Sequence, residues 1–539
     1  MAKFIITIDS ILGGIAPNLY IGRRDQFAMS IGIDPDLPIS DSGIKASGVL
    51  VPTSYADISG AGLSGYVKWL LTCPQNELVY AYASDGELIS YSILDSTPTE
   101  TVIGTPTSGV GNGAAYYNNY IYLATPTNIS RYGPLDNSPS LTNTVWTGAL
   151  FGKTALGDPT YPTQYGILYP NHPMHVHSDN KLYVGDFETV AGDNQGRGKI
   201  HWIRTNGDAT NEGADNDGTT ENALYLPYSY APIDIESWGN DLAILAIPMH
   251  TATTASSSLV QGKAALFLWD AINASSLPYR KIDLIDPFAS ALLNHNGDLY
   301  VWSGNLNDGV RLSKYLGGYK LQQVAFFEEG APPPAGCVDG QGNRIVWGAR
   351  TTFPENATVV YGYGYKDANL PPALHSIMTT TDATAGAASF SSAMVSALKF
   401  AQQASFIIPR LLVAWLNGVP DRGIDRRAAS SFELAVWRSL TYSIGQPFKI
   451  NKISIPLGAA VAGSMTLVPS IRVDDDSTTF TLTTINSTNY AGSQRRIIMY
   501  TSAYGVDNFN LQLRWTGTAL LPVTLPIVIE VETLEDATG

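Results

Sequence analysis

A short pattern that recurs seven times constrains the fold of this chain more than any other feature. Each copy has a polar turn, usually with Asn, followed by an aliphatic residue that opens an alternating and often aromatic run. Asn and Gly supply the positive φ of a tight hairpin, and the aliphatic residue begins a strand that enters the core. The aliphatic residues are Leu78, Ile121, Leu182, Leu242, Leu299 and Ile345, with a degenerate seventh copy at Leu411.

The uneven spacing of these copies excludes a regular solenoid but suits the radially arranged blades of a propeller, whose loops vary in length. Because blades bury their faces against one another, the array must close into a ring. We therefore predict an all-β protein with a six- or seven-bladed β-propeller over residues 53–428, each copy being one hairpin of a blade. The alternative is chance recurrence of the pattern in an Asn-rich β-protein of another architecture.

The segments that flank the repeats have a different texture. Residues 1–52 include Ser30–Gly48, which is rich in Asp, Pro, Gly and Ser and shows little alternation. This composition predicts an extended N-terminal arm that needs a neighbouring surface to become ordered. Residues 429–539 contain seven regular strand patterns, which predict a C-terminal β-sandwich. Thr379–Ser405 is the single place where the sequence suggests a helix.

Composition limits the classes of function that remain open. The 539 residues exceed the roughly 250–300 at which one core stops growing, so two or three cores are expected. The net charge of −15 argues against sequence-independent nucleic-acid binding, which relies on Lys and Arg. Cys73 and Cys337 are too few for a disulfide framework, and we expect two buried thiols. No apolar window has the length of a transmembrane helix, so no membrane insertion is expected.

Three histidines form the sharpest site-like feature of the sequence. His175 and His177 are two residues apart, so both rings point to one face of a strand, and His172 is close enough to be a third metal ligand. Asp179 or Asp186 could complete such a site. The alternative is a structural role, in which the rings stack at a blade edge or bind the backbone, and it is preferred because no matching second cluster is visible.

The acidic clusters do not match any catalytic or calcium-binding motif. Asp215, Asp217 and Glu221 lack the spacing of a calcium loop, and the run 474–476 is typical of an exposed hairpin turn. Val338–Gly348 only approximates a sialidase Asp-box. Known nucleophile, phosphate-binding and dinucleotide-binding motifs are also missing. The expected chemistry is therefore none, with no catalytic residue, no metal and no cofactor.

Several stretches resemble virion structural proteins encoded by tailed bacteriophages. The resemblance covers most of the chain and implies a particle component. It is carried by GGIAPNLY and SIGIDPDLPIS near the start, by Asn118–Gly148, by Leu299–Gly318 and by Val436–Val461.

A weaker likeness concerns the place in the particle. An N-terminal arm with Gly13, Gly14 and Pro17, followed by a propeller, is similar to the tail hub or nozzle proteins of short-tailed phages. That likeness implies a homo-oligomeric ring in the virion that contacts copies of itself and other virion proteins and lets DNA pass. Two alternatives stay open. Tyr and Trp content would suit a host-surface adhesin for a glycan, and some propellers are glycoside hydrolases that act on polysaccharide.

Overall fold

A computed structural model gives the conformation of most of the chain, and the described part is almost entirely β-structure. One 3-10 helix is present in it, at Ala335–Cys337, and no helix in it is long and apolar enough to cross a membrane. The structure describes residues 2–16, 22–34, 49–53, 55–60, 63–73, 76–92, 99–106, 113–125, 128–146, 172–189, 196–204, 224–248, 262–271, 278–305, 308–327, 332–351, 357–364, 371–380, 393–401, 409–417, 422–427, 435–475, 478–490, 495–501, 503–517 and 519–534.

Seven four-stranded antiparallel sheets account for the middle of the described chain, and each is one propeller blade. Five short strands come first: β1 (Lys3–Ile8), β2 (Gly14–Ile15), β3 (Gln26–Phe27), β4 (Met29–Ile31) and β5 (Tyr55–Asp57). Blades 1 to 3 follow: β6 (Val67–Thr72), β7 (Leu78–Ala83), β8 (Leu88–Ser92) and β9 (Glu100–Gly104); β10 (Ala114–Tyr117), β11 (Tyr120–Ala124), β12 (Ile129–Gly133) and β13 (Ser140–Trp146); β14 (Met174–Val176), β15 (Lys181–Thr189), β16 (Gly196–Arg204) and β17 (Leu224–Tyr228).

The other four blades complete the propeller in chain order. Their strands are β18 (Tyr230–Trp238), β19 (Asp241–Pro248), β20 (Ala265–Trp269) and β21 (Arg280–Asp283); β22 (Ala289–His295), β23 (Asp298–Asn305), β24 (Gly309–Tyr315) and β25 (Leu321–Phe327); β26 (Val338–Gln341), β27 (Arg344–Thr351), β28 (Ala357–Gly364) and β29 (Ala373–Thr379); β30 (Ala393–Ala401), β31 (Arg410–Asn417) and β32 (Arg422–Arg427). Strand β5, from before blade 1, is the fourth strand of blade 7.

The recurring Asn-containing pattern marks the same place in every blade, which confirms the predicted hairpins. The turns before β11, β15, β19, β23 and β27 contain the required positive φ angles, for example 70° at Asn119, 60° at Asn180 and 54° at Asn296. Each aliphatic residue of the pattern is the first or second residue of the second strand of its blade: Leu78 in β7, Ile121 in β11, Leu182 in β15, Leu242 in β19, Leu299 in β23, Ile345 in β27 and Leu411 in β31.

The blades close into a ring through their first strands. In chain order β6, β10, β14, β18, β22, β26 and β30 each contact the next, and β30 contacts β6. Adjacent blades share apolar faces, as when Tyr82 of blade 1 packs with Leu123 of blade 2. The seventh blade is closed by β5, where Ala56 pairs with Arg426. The predicted six or seven blades are therefore seven in the described chain.

The predicted C-terminal sandwich is also present. Its two sheets enclose one core in which Ile453, Leu511 and Ile529 are fully buried. Its strands after the propeller are β33 (Ala435–Arg438), β34 (Phe448–Pro456), β35 (Leu467–Val473), β36 (Thr478–Thr481), β37 (Arg496–Tyr500), β38 (Tyr504–Val506), β39 (Phe509–Trp515) and β40 (Ile527–Thr533). One sheet has the order β1-β40-β34-β37, with β38 also paired to β34, and the other has the order β36-β35-β39-β33-β4.

The described part of residues 1–52 is extended, as predicted, and its strands pair with strands of the same chain. Strand β1 pairs with β40 along its whole length, and β4 pairs with β33. The alternating apolar residues of β1 explain this, because Ile6 and Ile8 face the sandwich core opposite Ile529 and Ile527. Strands β1 and β4 are therefore members of the two sandwich sheets.

Contacts with blade 6 fix the N-terminal segment between sandwich and propeller. The Asp34 carboxylate, which is nearly fully buried, accepts two hydrogen bonds from Arg344, at 2.8 and 3.2 Å. Ile33 N donates to Ser376 O at 3.1 Å, and Thr53 Oγ1 donates to Ile377 O at 2.5 Å. These contacts join the two domains through β27 and β29.

The suggested helix within Thr379–Ser405 is wrong where the structure describes the segment. Ala393–Ala401 is strand β30, paired antiparallel with β31. The run of Ala favours a helix only locally, whereas both faces of this strand bury side chains against neighbouring blades, such as Val395 and Ala397. Residues 381–392 and 402–405 lie outside the described chain.

Candidate functional site

Both rings of the His175 and His177 pair reach one hydroxyl group, as their spacing predicts. His175 is on β14, His177 follows that strand, and their partner Ser237 is on β18 of the next blade. His175 Nε2 lies 2.7 Å from Ser237 Oγ, and His177 Nδ1 lies 2.8 Å from the same atom. The pair therefore bridges blades 3 and 4.

A neutral His177 gives this bridge a consistent set of hydrogen-bond donors and acceptors. His177 Nε2 donates to Asn240 O at 3.2 Å, so its Nδ1 accepts the Ser237 hydroxyl proton. Ser237 Oγ then accepts a proton from His175 Nε2, which also lies 3.3 Å from Glu236 Oε1. Burial lowers the pKa of His177 from its usual value. A neutral His177 matches this network.

The position of His177 has the same role in other blades. At the end of β10, the Tyr117 hydroxyl donates to Asn180 O of the next blade at 2.7 Å. At the end of β22, His295 Nε2 donates to Gly342 O of the next blade at 2.9 Å. Side chains that end a first strand thus bind the carbonyl of the following blade's turn. This repetition favours the structural role for the histidines.

His172 belongs to a different cluster, which contains a residue that sequence reasoning missed. Its Nδ1 lies 3.2 Å from Gly185 O and 3.7 Å from Asp186 Oδ1, and all three atoms are inside blade 3. His201 Nε2 lies 3.8 Å from Asp186 Oδ2. Strand pairing of β15 with β16 brings His201 beside Asp186, a signal that only the register reveals. The structure contains no cluster in its described residues that could hold a metal.

The other polar and cysteine candidates have structural surroundings where they are described. Asp474 and Asp475 have φ angles of 50° and 58° in the turn after β35, and each hydrogen-bonds across to the turn before β39. Within the Asp-box-like stretch, Asp339 accepts Phe400 N of blade 7 at 2.8 Å. Residues 215, 217, 221 and 476 lie outside the described chain. Cys73 and Cys337 are buried and free, as predicted, and burial raises the pKa of Cys73 to about 12.

A surface group that includes two exposed tyrosines lies where the turns of blades 4 and 5 meet. It consists of Tyr279, Leu316, Tyr319 and the half-buried Arg280, and we call it the aromatic surface. The Arg280 guanidinium lies 5.4 Å from the ring centroids of both Tyr279 and Tyr319. Tyr319 is 73% exposed and Tyr279 is 49% exposed. General aromatic content hinted at a binding role, but the residues come together only through the fold.

Comparisons with known proteins find only distant structural matches. No protein-family model matches the chain, and no curated protein matches it. The WD40 beta propeller domain of Doa1 aligns with 12% identity and a TM-score of 0.41, covering 69% of this chain and 96% of that domain. The N-terminal domain of Nup159 aligns with 10% identity and a TM-score of 0.38, covering 70% and 97%. The Neurospora crassa Pan2 WD40 domain aligns with 9% identity and a TM-score of 0.37, covering 69% and 95%.

Proposed function

We propose that this protein is a structural component of a tailed-phage virion, a homo-oligomeric tail protein of the hub or nozzle type that is not an enzyme. The sequence resemblance supports the virion context. The structural roles of the described histidine and carboxylate clusters support a scaffold. A net charge of −15 suits passage of DNA without binding it.

The proposed homo-oligomer rests on the exposed outer face of the sheet β1-β40-β34-β37. Pairing places Ile5, Glu530, Lys452 and Tyr500 in one row across all four strands. Ile5 is 66% exposed and Tyr500 is 79% exposed, and Lys452 Nζ lies 2.7 Å from Glu530 Oε1 between them. The exposed Ile5 and Tyr500 side chains lie at the two ends of this row, and the ion pair between them has no net charge. Such a surface suits contact with a second copy of the protein.

A double substitution of this row tests the proposal. Wild-type full-length protein should form oligomers at micromolar concentration, and Ile5→Ser with Tyr500→Ser should form monomers, measured by mass photometry. Because both side chains are exposed, the free energy of unfolding should change by about 0.5 kcal/mol or less for each substitution. Deletion of residues 1–52 is unsuitable, since it removes β1 and β4 from the sandwich.

Tyr228→Ser is the matched control, because Tyr228 is 52% exposed on the propeller. It should leave the oligomer intact. A wild-type protein that remains monomeric, or a double variant that still assembles, would contradict the proposed self-association.

A further inference from the structure

We propose that the aromatic surface binds an acidic carbohydrate, a glycan that carries uronic-acid carboxylates. This inference goes beyond the proposed structural function and does not depend on self-association. Its basis is a pair of exposed aromatic rings whose centroids each lie 5.4 Å from the guanidinium of one arginine. Tyr279, Arg280 and Tyr319 supply these groups, from the ends of neighbouring blades.

Buried and half-buried neighbours hold the surface in place before any ligand arrives. The Tyr279 hydroxyl donates to Asp241 Oδ2 at 2.5 Å, and Arg280 Nη1 donates to the Tyr315 hydroxyl at 3.1 Å. Tyr315 in turn donates to Gly318 O at 2.9 Å, and its ring packs edge-on against Trp238, with centroids 4.8 Å apart. Side chains that are already ordered lose little conformational entropy when a ligand binds. This preorganisation favours binding even though the site is exposed to solvent.

The turn between β24 and β25 gives Tyr319 its exposed position. Gly317 and Gly318 have φ angles of 90° and 63°, which side chains rarely adopt, and a Cβ at either position would meet no atom within 4 Å. Glycine is favoured at these two positions because of their positive φ angles and not because a side chain would clash. The resulting turn projects Tyr319 outward beside Leu316, which is also exposed.

The chemistry of the surface selects sugars that carry carboxylates. Aromatic faces are large apolar surfaces with a polar hydroxyl at the edge, which suits the C–H faces and hydroxyl groups of a sugar ring. The Arg280 guanidinium has five donors and makes one hydrogen bond to the described residues, so it can bind a carboxylate in the bidentate manner.

The local positive charge of Arg280 favours an acidic glycan over a neutral glycan at this surface. The chain has a net charge of −15, so most of its surface repels anions, and an acidic ligand is favoured only beside a local cation. Burial and the hydrogen bond to Asp241 raise the pKa of Tyr279, so its hydroxyl stays protonated and keeps its hydrogen bond to Asp241. Strong dependence on salt is expected for this contact.

Titration calorimetry of the full-length protein tests the proposal with two matched probes. Oligogalacturonate carries a carboxylate on each sugar, and its methyl ester has the same backbone without the charge. Wild type should bind the free acid at least about 10-fold more tightly than the ester, and added salt should weaken the binding. Equal binding of acid and ester, or no binding of the acid at millimolar concentration, would overturn the proposal.

Substitutions locate the binding on the protein. Arg280→Gln and Tyr319→Ala should each weaken binding of the free acid about 10-fold, which corresponds to about 1.4 kcal/mol. Tyr500→Ala, a change of an exposed Tyr on the sandwich, should leave the affinity unchanged. If Arg280→Gln binds like wild type, the acid is bound elsewhere. Mass photometry of the same samples reports self-association separately, so failure of one proposal is distinguishable from failure of the other.

Discussion

Among single residues, Ser237 distinguishes a hydrogen-bonded bridge from a metal site, because its hydroxyl contacts both His175 and His177. The sequence showed that His175 and His177 share one strand face, and the structure confirms it. It could not show their partner, because Ser237 is 60 residues beyond His177 and lies on another blade. A metal site and a hydrogen-bonded bridge produce the same local pattern, and only the packing of the next blade distinguishes them.

Stability should fall as the solution becomes acidic, with His177 as one cause. Its pKa in the folded protein lies below the usual 6.5, so in acid the unfolded chain takes up a proton before the folded one does. The stabilisation is complete above about pH 6.5 and is lost as the pH falls below it. Protonation would also place a second donor against Ser237 Oγ. Thermal unfolding from about pH 7.5 to about pH 5.5 measures the effect.

His177→Gln is the variant for this measurement, because its amide can still donate to Asn240 O but does not titrate. Its unfolding temperature should decline less steeply with acid than that of wild type. Equal slopes for the two proteins would show that His177 does not contribute.

Among the elements, the second strands of the blades were the most predictable and β5 the least. Six of the seven second strands follow a sequence turn with Asn or Gly, and each has an aliphatic residue of the pattern at its first or second position, so local chemistry specifies them. Strand β5 has three residues and no turn signal, and its partner β32 begins at Arg422. Nothing local specifies a pairing over that separation, although it closes the propeller.

Replacing Ala56 by Pro tests the role of β5 in closure. Proline removes a backbone donor and restricts the strand where Ala56 pairs with Arg426, at a cost of about 1–3 kcal/mol. Hydrogen exchange should then lose protection in β31 and β32 while blades 3 to 5 keep theirs. Ala56→Ser, which retains the backbone donor, is the control and should resemble wild type. Unchanged protection in the proline variant would mean that blade 7 is stable with three strands.

For the whole molecule, the connection between the two domains was not predictable. The apolar alternation of β1 is typical of a strand, but its partner β40 begins 519 residues after β1 ends. Without a visible partner, the sequence predicts an extended arm at this place. The propeller is thus an insertion between the two parts of a sandwich. Asp34 and Arg344 join the domains, and their types alone gave no reason to pair them.

The Asp34–Arg344 contact should couple the unfolding of the two domains. Asp34→Ala leaves Arg344 without its buried carboxylate and should destabilise the junction by about 3 kcal/mol. Differential scanning calorimetry should then show two separated transitions where wild type shows one. The double variant Asp34→Ala with Arg344→Ala should recover part of the loss, because no unpaired charge remains. Additive losses would show that the two side chains do not interact.

The pairing of β1 with β40 also means that β1 must wait for its partner during synthesis. A ribosome that adds about 5–20 residues per second needs roughly half a minute to two minutes between synthesis of β1 and synthesis of its partner β40. During that interval the apolar segment KFIITI has no sheet to join and can pair with another nascent chain. Slow translation or crowded polysomes should therefore reduce the yield of soluble protein, and a chaperone that shields this first segment should restore it.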